Sequence, residues 1–165
     1  MVLEGAGMLR DNLRRCVWEE MLTADMRANY FGELVGHYLK LDKGLRVATL
    51  LAASGTVGTA LSQLDPSVKL AIPILATAVS FWLLISQYGS MARDASDLHS
   101  GWSAVQRDYE RLWNNLDSGD AGEQYHQIYD RAEVLSKSGT KFPNKTARLN
   151  YWLDQAARIA TARYA

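Results

Sequence analysis

The sequence predicts an all-α membrane protein, in which a two-helix transmembrane hairpin is attached to a cytoplasmic helical bundle. Two observations lead to this fold class. Residues 47–64 and 70–92 contain no Asp, Glu, Lys or Arg, and only the polar stretch 65–69 separates them. Elsewhere, apolar residues recur at spacings of three and four without strand-like alternation, a pattern typical of amphipathic helices. The predicted domains are an N-terminal amphipathic cytoplasmic helix (1–44), the transmembrane hairpin (45–92) and a C-terminal cytoplasmic helical region (93–165).

Composition narrows the classes of function. The 165 residues include 18 basic and 18 acidic ones, so no global basic field favours nucleic acid. The single cysteine, Cys16, excludes an internal disulfide and a cysteine-rich zinc site. The three histidines (His37, His99 and His126) lack ligand or nucleophile partners at a recognised spacing, and no phosphate-binding loop motif occurs. We therefore predict that the protein is not an enzyme and has no cofactor.

The two uncharged runs match the length of membrane spans, because a spanning helix needs about 20 mostly apolar residues. The predicted spans are residues 47–64 and 70–90. Basic residues flank the outer ends of the pair, whereas the turn between the spans holds only Lys69. This bias predicts a membrane protein with both termini in the cytoplasm and the turn outside. The alternative is a soluble bundle with a buried hairpin, but a chain of this length has little protein with which to surround two such helices.

Amphipathic helices are predicted on both sides of the hairpin. The first covers residues 8–41 and is followed by a break at Gly44. The helix of the second span is expected to continue into the cytoplasm, because no strong helix breaker follows it. Two more helices are predicted at about 123–137 and 145–163. The residues predicted to face inward are Leu13, Val17, Met21, Ala24, Ala28, Phe31, Val35 and Tyr38 in the first helix, Leu98, Trp102, Val105, Tyr109, Leu112 and Leu116 after the second span, and Tyr125, Ile128, Tyr129, Ala132, Leu135, Leu149, Trp152, Leu153, Ala156 and Ile159 in the last two.

The first span has two faces of small or polar residues. One such face would serve for close packing against the second span. Two faces indicate a further contact, either with a neighbouring subunit or with a water-filled path. Because two spans cannot enclose a pore alone, a pore requires a symmetric homo-oligomer, a tetramer or larger ring. The predicted pore-lining residues are Thr49, Ala53, Thr56, Ala60 and Gln63.

A basic segment near the C-terminus is the predicted ligand site. Residues 137–148 contain four basic residues and no acidic one. The helix predicted to begin near Asn144 offers free N–H groups that suit a phosphate, and two aromatic residues follow that can stack on a base. The alternative is a solvated loop beside an ordinary core pair. The candidate ligand-binding residues are Lys137, Lys141, Lys145, Arg148, Tyr151 and Trp152.

The order of these parts resembles the SLATT-domain family, small two-transmembrane bacterial effectors found with nucleotide-signal and nucleotide-sensor genes. The resemblance covers roughly residues 10–116. It rests on the layout and on ARDASDLHSGWSAVQRDYERL, which begins at Ala92. There, a loose pattern of a small residue, His, Tyr and Leu is matched by Ala95, His99, Tyr109 and Leu112.

The resemblance implies a pore-forming effector that permeabilises the bacterial inner membrane in anti-phage defence. It also implies control by a nucleotide or oligonucleotide from a neighbouring synthase, which opens the channel or holds it shut. Alternative functions are a membrane-anchored interaction module without a pore and a holin-like protein. A membrane enzyme is disfavoured, because the sequence holds no clustered acid, base or metal site.

Overall fold

The computed structural model describes residues 2–53, 74, 77–78, 81–82 and 87–164. Helices and no strands occur in this part of the chain, so the prediction of an all-α protein is confirmed. The helices are α1 (Val2–Ala53), α2 (Tyr88–Asn114), α3 (Ala121–Gly139) and α4 (Thr146–Tyr164).

The chain forms two compact units. The first unit combines Met1–Glu33 with Ala95–Ala165, and the second is Leu34–Asp94. The predicted spans, 47–64 and 70–90, belong to the second unit, and most of their residues lie outside those that the structure describes. No helix within the described residues is both long and apolar enough to cross a membrane.

The predicted helix break at Gly44 is wrong. Helix α1 continues through this residue to Ala53. A glycine inside a helix costs only about 1 kcal/mol relative to alanine, which a long helix tolerates. Neither proline nor a competing capping contact stops the helix here, and the hydroxyl of Thr49 donates to the carbonyl oxygen of Leu45 at 2.9 Å inside the same helix.

The expected continuation from the second span into α2 is interrupted at Gln87. This residue is not helical and has a φ of 41°, in the left-handed region that non-glycine residues rarely adopt. Its carbonyl oxygen accepts hydrogen bonds from the backbone N–H groups of Ser90 and Met91 at 2.9 and 3.1 Å. The Ser90 hydroxyl also donates to it at 2.8 Å. These bonds begin α2 directly after Gln87. The spacing of apolar residues does not predict a helix start at this position.

The first unit is an up-down-up-down helical bundle. Contacts between α1 and α2 run in opposite chain directions, since the Trp18 ring meets the Trp113 ring and Ala28 bonds to His99. Helix α3 pairs with α2 in the same antiparallel way, and α4 with α1. Antiparallel neighbours are the usual arrangement of such bundles, and short loops join α2 to α3 and α3 to α4.

The predicted inner faces of α1 and α2 are largely confirmed as core, but Leu13 and Val35 of α1 are only half-buried. Five residues of α1 and five of α2 have at most 7% of their surface exposed. Leu116 lies beyond the end of α2 and is only half-buried. The buried residues are Val17, Met21, Ala24, Ala28 and Phe31 in α1, and Leu98, Trp102, Val105, Tyr109 and Leu112 in α2.

The predicted inner faces of α3 and α4 are only partly correct. Ile128, Ala132 and Ala156 are buried as expected, and Ala160 is buried as well. Tyr129, Leu153 and Ile159, however, are 44%, 38% and 54% exposed. Both helices carry apolar residues on more than one side, so helical spacing alone cannot decide which side is buried. Small alanines lie on the buried side of α4, because they allow its backbone to approach the neighbouring helices closely.

His99 makes a close polar contact between α1 and α2. Its Nδ1 lies 2.7 Å from the carbonyl oxygen of Ala28, so Nδ1 carries the proton and donates. A Cβ atom added at Gly32, one turn further along α1, would lie 3.2 Å from the same Nδ1. Gly32 therefore leaves the space that the imidazole of His99 occupies.

We expect Gly32→Ala to be at least about 1 kcal/mol less stable than Gly36→Ala, because the added methyl pushes on His99 and disturbs its hydrogen bond. Gly36 is the matched control, since it lies one turn further along α1 and nothing lies within 4 Å of its Cβ position. That variant should gain about 0.5–1 kcal/mol from helix propensity. Urea unfolding of both variants, followed by circular dichroism, measures the difference. Equal stabilisation by the two alanines would contradict the contact.

Candidate functional site

The predicted pore lining falls mostly outside the described residues. Thr56, Ala60 and Gln63 lie there, whereas Thr49 and Ala53 belong to the last turns of α1. Thr49 is half-buried and its hydroxyl donates to the backbone four residues earlier, a common arrangement for threonine in a helix. The pore face stays a prediction.

The three lysines of the predicted ligand site have separate surroundings. Lys137, in the last turn of α3, pairs with Glu133 one turn earlier at 2.6 Å. The Lys141 ammonium lies 5.6 Å from the centre of the Phe142 ring. Lys145 is exposed and directly precedes α4, and its carbonyl oxygen accepts the first hydrogen bonds of that helix.

Arg148 and Trp152 of the same predicted site bind one carboxylate of α1. The Arg148 guanidinium lies 2.7 Å from Oε1 of Glu33, and the Trp152 indole N–H donates to Oε2 at 2.9 Å. Tyr151 packs its ring edge-on against Trp152 and is 47% exposed. We call Glu33, Arg148 and Trp152 the α1–α4 clasp. These contacts give two of the predicted ligand residues a structural role, which is to hold α4 on α1.

A cavity of about 360 Å³ lies inside the first unit, next to the predicted basic segment. Its walls come from α1, α2, the end of α3, the loop that leads into α4 and the start of α4 itself. The four lysine and arginine residues predicted from that segment are not part of these walls, but their neighbours are. The lining residues are Met26, Arg27, Tyr30, Phe31, Trp102, Leu135, Ser136, Gly139, Thr140, Phe142, Pro143, Asn144 and Leu149.

Aromatic contacts fix the loop wall of the cavity against α1. The Phe31 and Phe142 rings meet edge-to-face at 5.6 Å, and the Tyr30 hydroxyl donates to the carbonyl oxygen of Pro143. A Cβ atom added at Gly139 would lie 3.1 Å from the Phe31 ring, so glycine permits this close packing. Phe142 is 8% exposed although it lies in a loop. The cavity is thus bounded by packed side chains on this side.

Arg27 is the charged residue of the cavity wall. Its guanidinium stacks over the Trp102 ring at 4.6 Å, and Nη1 donates to the Ser136 hydroxyl oxygen at 2.8 Å. Among the described residues, no carboxylate forms an ion pair with it. A guanidinium has five N–H donors, so most of them are left for other partners. Such a group is suited to binding an anion.

Burial affects the charge of Arg27 and of its acidic neighbour. Desolvation lowers the pKa of Arg27, and the charge of Glu20 acts in the opposite direction. Desolvation also raises the pKa of Glu20, which Arg27 lowers and Glu19 raises further. The two side chains therefore influence each other without forming a direct bond. Arg27 remains a half-buried cation with incomplete compensation.

The sequence places Arg27 on the polar face of the first helix and does not predict that its side chain lines a cavity. One feature of the sequence does indicate a position close to the core. Arg27 follows Ala24 by three residues and precedes Phe31 by four, a spacing that puts it at the edge of the apolar stripe. Ser136 and Asn144 carry no sequence signal, because only the fold brings their helix end and loop next to α1.

The residues that carry the family resemblance pack in the core. Ala95, Tyr109 and Leu112 have at most 1% of their surface exposed, and His99 bonds to α1 as described above. The Tyr109 hydroxyl is buried and has no hydrogen-bond partner among the described residues. Burial chiefly raises the pKa of Tyr109. In this fold, these residues join α2 to its neighbours.

No protein-family model, curated protein or solved structure matches the chain. The family resemblance therefore stays a prediction that rests on the residues quoted above.

We expect the α1–α4 clasp to be energetically coupled. In a double-mutant cycle of Glu33→Ala and Arg148→Ala, the coupling should be about 0.5–1 kcal/mol, because the carboxylate is two-thirds buried. The exposed Glu133–Lys137 pair is the control and should give about 0.3–0.5 kcal/mol, as surface pairs one helical turn apart do. Urea unfolding yields both values. Coupling near zero at Glu33 would show that the clasp does not hold α4.

Proposed function

We propose that the protein is a homo-oligomeric, pore-forming effector of the bacterial inner membrane. In anti-phage defence, its pore depolarises or permeabilises the membrane, and a nucleotide or oligonucleotide signal bound by the cytoplasmic helices gates it. The observation that carries the proposal is the pair of uncharged runs, 47–64 and 70–92, joined by only five residues. Each run is as long as a membrane span, and five residues are enough for the turn between two antiparallel helices.

The flanking charges support the orientation. Basic residues lie before the first run and after the second, and the turn holds one lysine and one aspartate, Lys69 and Asp65. Cytoplasmic loops carry the excess of Lys and Arg, so this distribution favours termini on the cytoplasmic side. The helical bundle, which contains both termini, would then meet cytoplasmic ligands.

Two features support control by a ligand. The first unit contains a cavity with an incompletely compensated arginine, Arg27, which is a suitable place for an anionic signal from a neighbouring synthase. Helix α1, which carries Arg27, extends without interruption to Ala53 and so includes the start of the predicted first span. A change in the position of α1 on binding would act on the pore through this helix.

A membrane-anchored interaction module is the second candidate function. It is favoured by the apolar and aromatic residues that α3 and α4 leave exposed, among them Tyr129, Val134 and Ile159. Singly exposed apolar residues are normal on a protein surface, so this observation supports recruitment of a partner less strongly than the cavity supports a ligand.

We expect a cysteine in the turn, but not one in the bundle, to react with a membrane-impermeant maleimide added to intact cells. The background is Cys16→Ala, since Cys16 is the only native cysteine. Ser67→Cys tests the turn, and Ser118→Cys, in the exposed loop after α2, is the matched control. Labelling of Ser118→Cys should appear only after the cells are permeabilised. Equal labelling of both positions in intact cells would contradict the hairpin topology.

We expect Thr56→Leu to abolish depolarisation, because it replaces a polar residue of the predicted pore face by an apolar one of greater bulk. Val57→Leu is the control, since it adds bulk at an apolar position outside the predicted pore face. Expression under a tight promoter, with a co-expressed nucleotide synthase and a potential-sensitive dye, measures the effect. If both variants depolarise cells like the wild-type chain, the first span does not line a pore. If the inserted wild-type chain stays silent with every nucleotide tested, the interaction module is favoured.

A further inference from the structure

The cavity at Arg27 has the parts of a site for a small phosphate ligand. Stacking on Trp102 occupies one face of the guanidinium, and the bond to Ser136 uses one N–H group. The remaining donors form a planar fork of the kind that binds phosphate oxygens in pairs. Because burial has already removed part of its hydration, an anion can bind this guanidinium at a lower desolvation cost than an exposed arginine.

Other polar groups of the cavity wall are also available. The Ser136 oxygen accepts from Arg27, so its own O–H can donate elsewhere. Asn144 lines the cavity, is exposed, and its side chain makes no hydrogen bond within the described part of the chain. The indole N–H of Trp102 also has no acceptor there, but its nitrogen is fully buried, so a ligand in the cavity does not reach it.

The hydroxyl groups of two other wall residues already donate hydrogen bonds within the protein and are not available to a ligand. The Thr140 hydroxyl donates to the carbonyl oxygen of Lys137 at 2.8 Å, and the Tyr30 hydroxyl donates to that of Pro143. Helix α4 begins at Thr146, two residues after Asn144, and the N-terminal end of a helix favours negative charge. The guanidinium of Arg27 and the N-terminal end of α4 thus both favour a negatively charged ligand.

Size and wall chemistry limit the ligand. A volume of about 360 Å³ is at the small end of ligand sites, which span roughly 300–1,000 Å³. The apolar part of the wall, which includes Phe31, Phe142 and Leu149, suits an organic body next to the phosphate. We propose that this cavity binds one phosphate-bearing unit no larger than a mononucleotide, with Arg27 as the anchor of the phosphate. An oligonucleotide would insert a single unit.

The proposal rests on the proposed function only for the consequence of binding, which is control of the pore. Binding itself is measured without a pore, on the full chain in a detergent free of phospholipid. The probes for isothermal titration calorimetry are adenosine monophosphate, inorganic phosphate, short-chain phosphatidylglycerol and adenosine. We expect saturable binding of adenosine monophosphate, weaker binding of inorganic phosphate and none of adenosine at the same concentrations.

Arg27→Gln should weaken the binding of adenosine monophosphate by about tenfold to a hundredfold, the range for loss of a charge-assisted hydrogen bond. Arg107→Gln is the matched control, because Arg107 is exposed on α2 and takes no part in the cavity. It should leave the affinity unchanged within about twofold, since surface charges contribute little. Circular dichroism checks that each variant is folded. If Arg27→Gln does not fold, Ser136→Ala combined with Asn144→Ala should still weaken binding by about tenfold.

Three results would overturn the proposal: no saturable binding of any phosphate probe by the folded chain, an equal loss in Arg107→Gln, or tighter Arg27-dependent binding of the phospholipid. The last result would assign the site to a lipid headgroup instead of a nucleotide. Failure of the pore is a separate outcome. Arg27-dependent nucleotide binding by a chain that never depolarises cells would support the site and refute the proposed function.

Discussion

The hydrogen bond between His99 and the backbone of Ala28 joins α1 and α2 at close range. Glycine at position 32 leaves room for it, because a Cβ there would lie 3.2 Å from Nδ1 of the imidazole. The rest of the bundle is built on this pair. Helix α3 packs on α2, where Gly101 approaches Leu135, and the α1–α4 clasp holds α4. A change in the separation of α1 and α2 would move every wall of the cavity at Arg27.

The cavity combines features that are unfavourable for stability alone. Within the described part of the chain, Arg27 is a half-buried cation without an ion pair, which costs free energy, and a cavity lies beside it. The fold brings them together on four helices and a loop. A bound anion would compensate the charge and occupy the cavity. This coincidence, more than any single residue, distinguishes the cavity from the surface around it.

The predicted ligand site shows where a charge pattern misleads. Lys137, Lys141, Lys145 and Arg148 were grouped because they are close in sequence and no acid separates them. In the fold, Lys137 pairs with Glu133, and Arg148 pairs with Glu33, which is far away in the sequence. The segment does border a cavity, but through Thr140 and Asn144. Local charge density indicated the correct region, and the long-range pairing of helices determined which side chains line the cavity.

Periodicity and composition over many residues predict the helical class, most of the inner faces of α1 and α2, and the two uncharged runs. They do not predict the start of α2 after Gln87, the buried faces of α3 and α4, or the role of Arg27. Those features depend on which helices meet and at what distance. A helix with apolar residues on two sides can bury either one, and a charged residue at the edge of a stripe can face water or a cavity. The packing of the helices selects between these alternatives, because the free energy that separates them comes from contacts between residues distant in the chain.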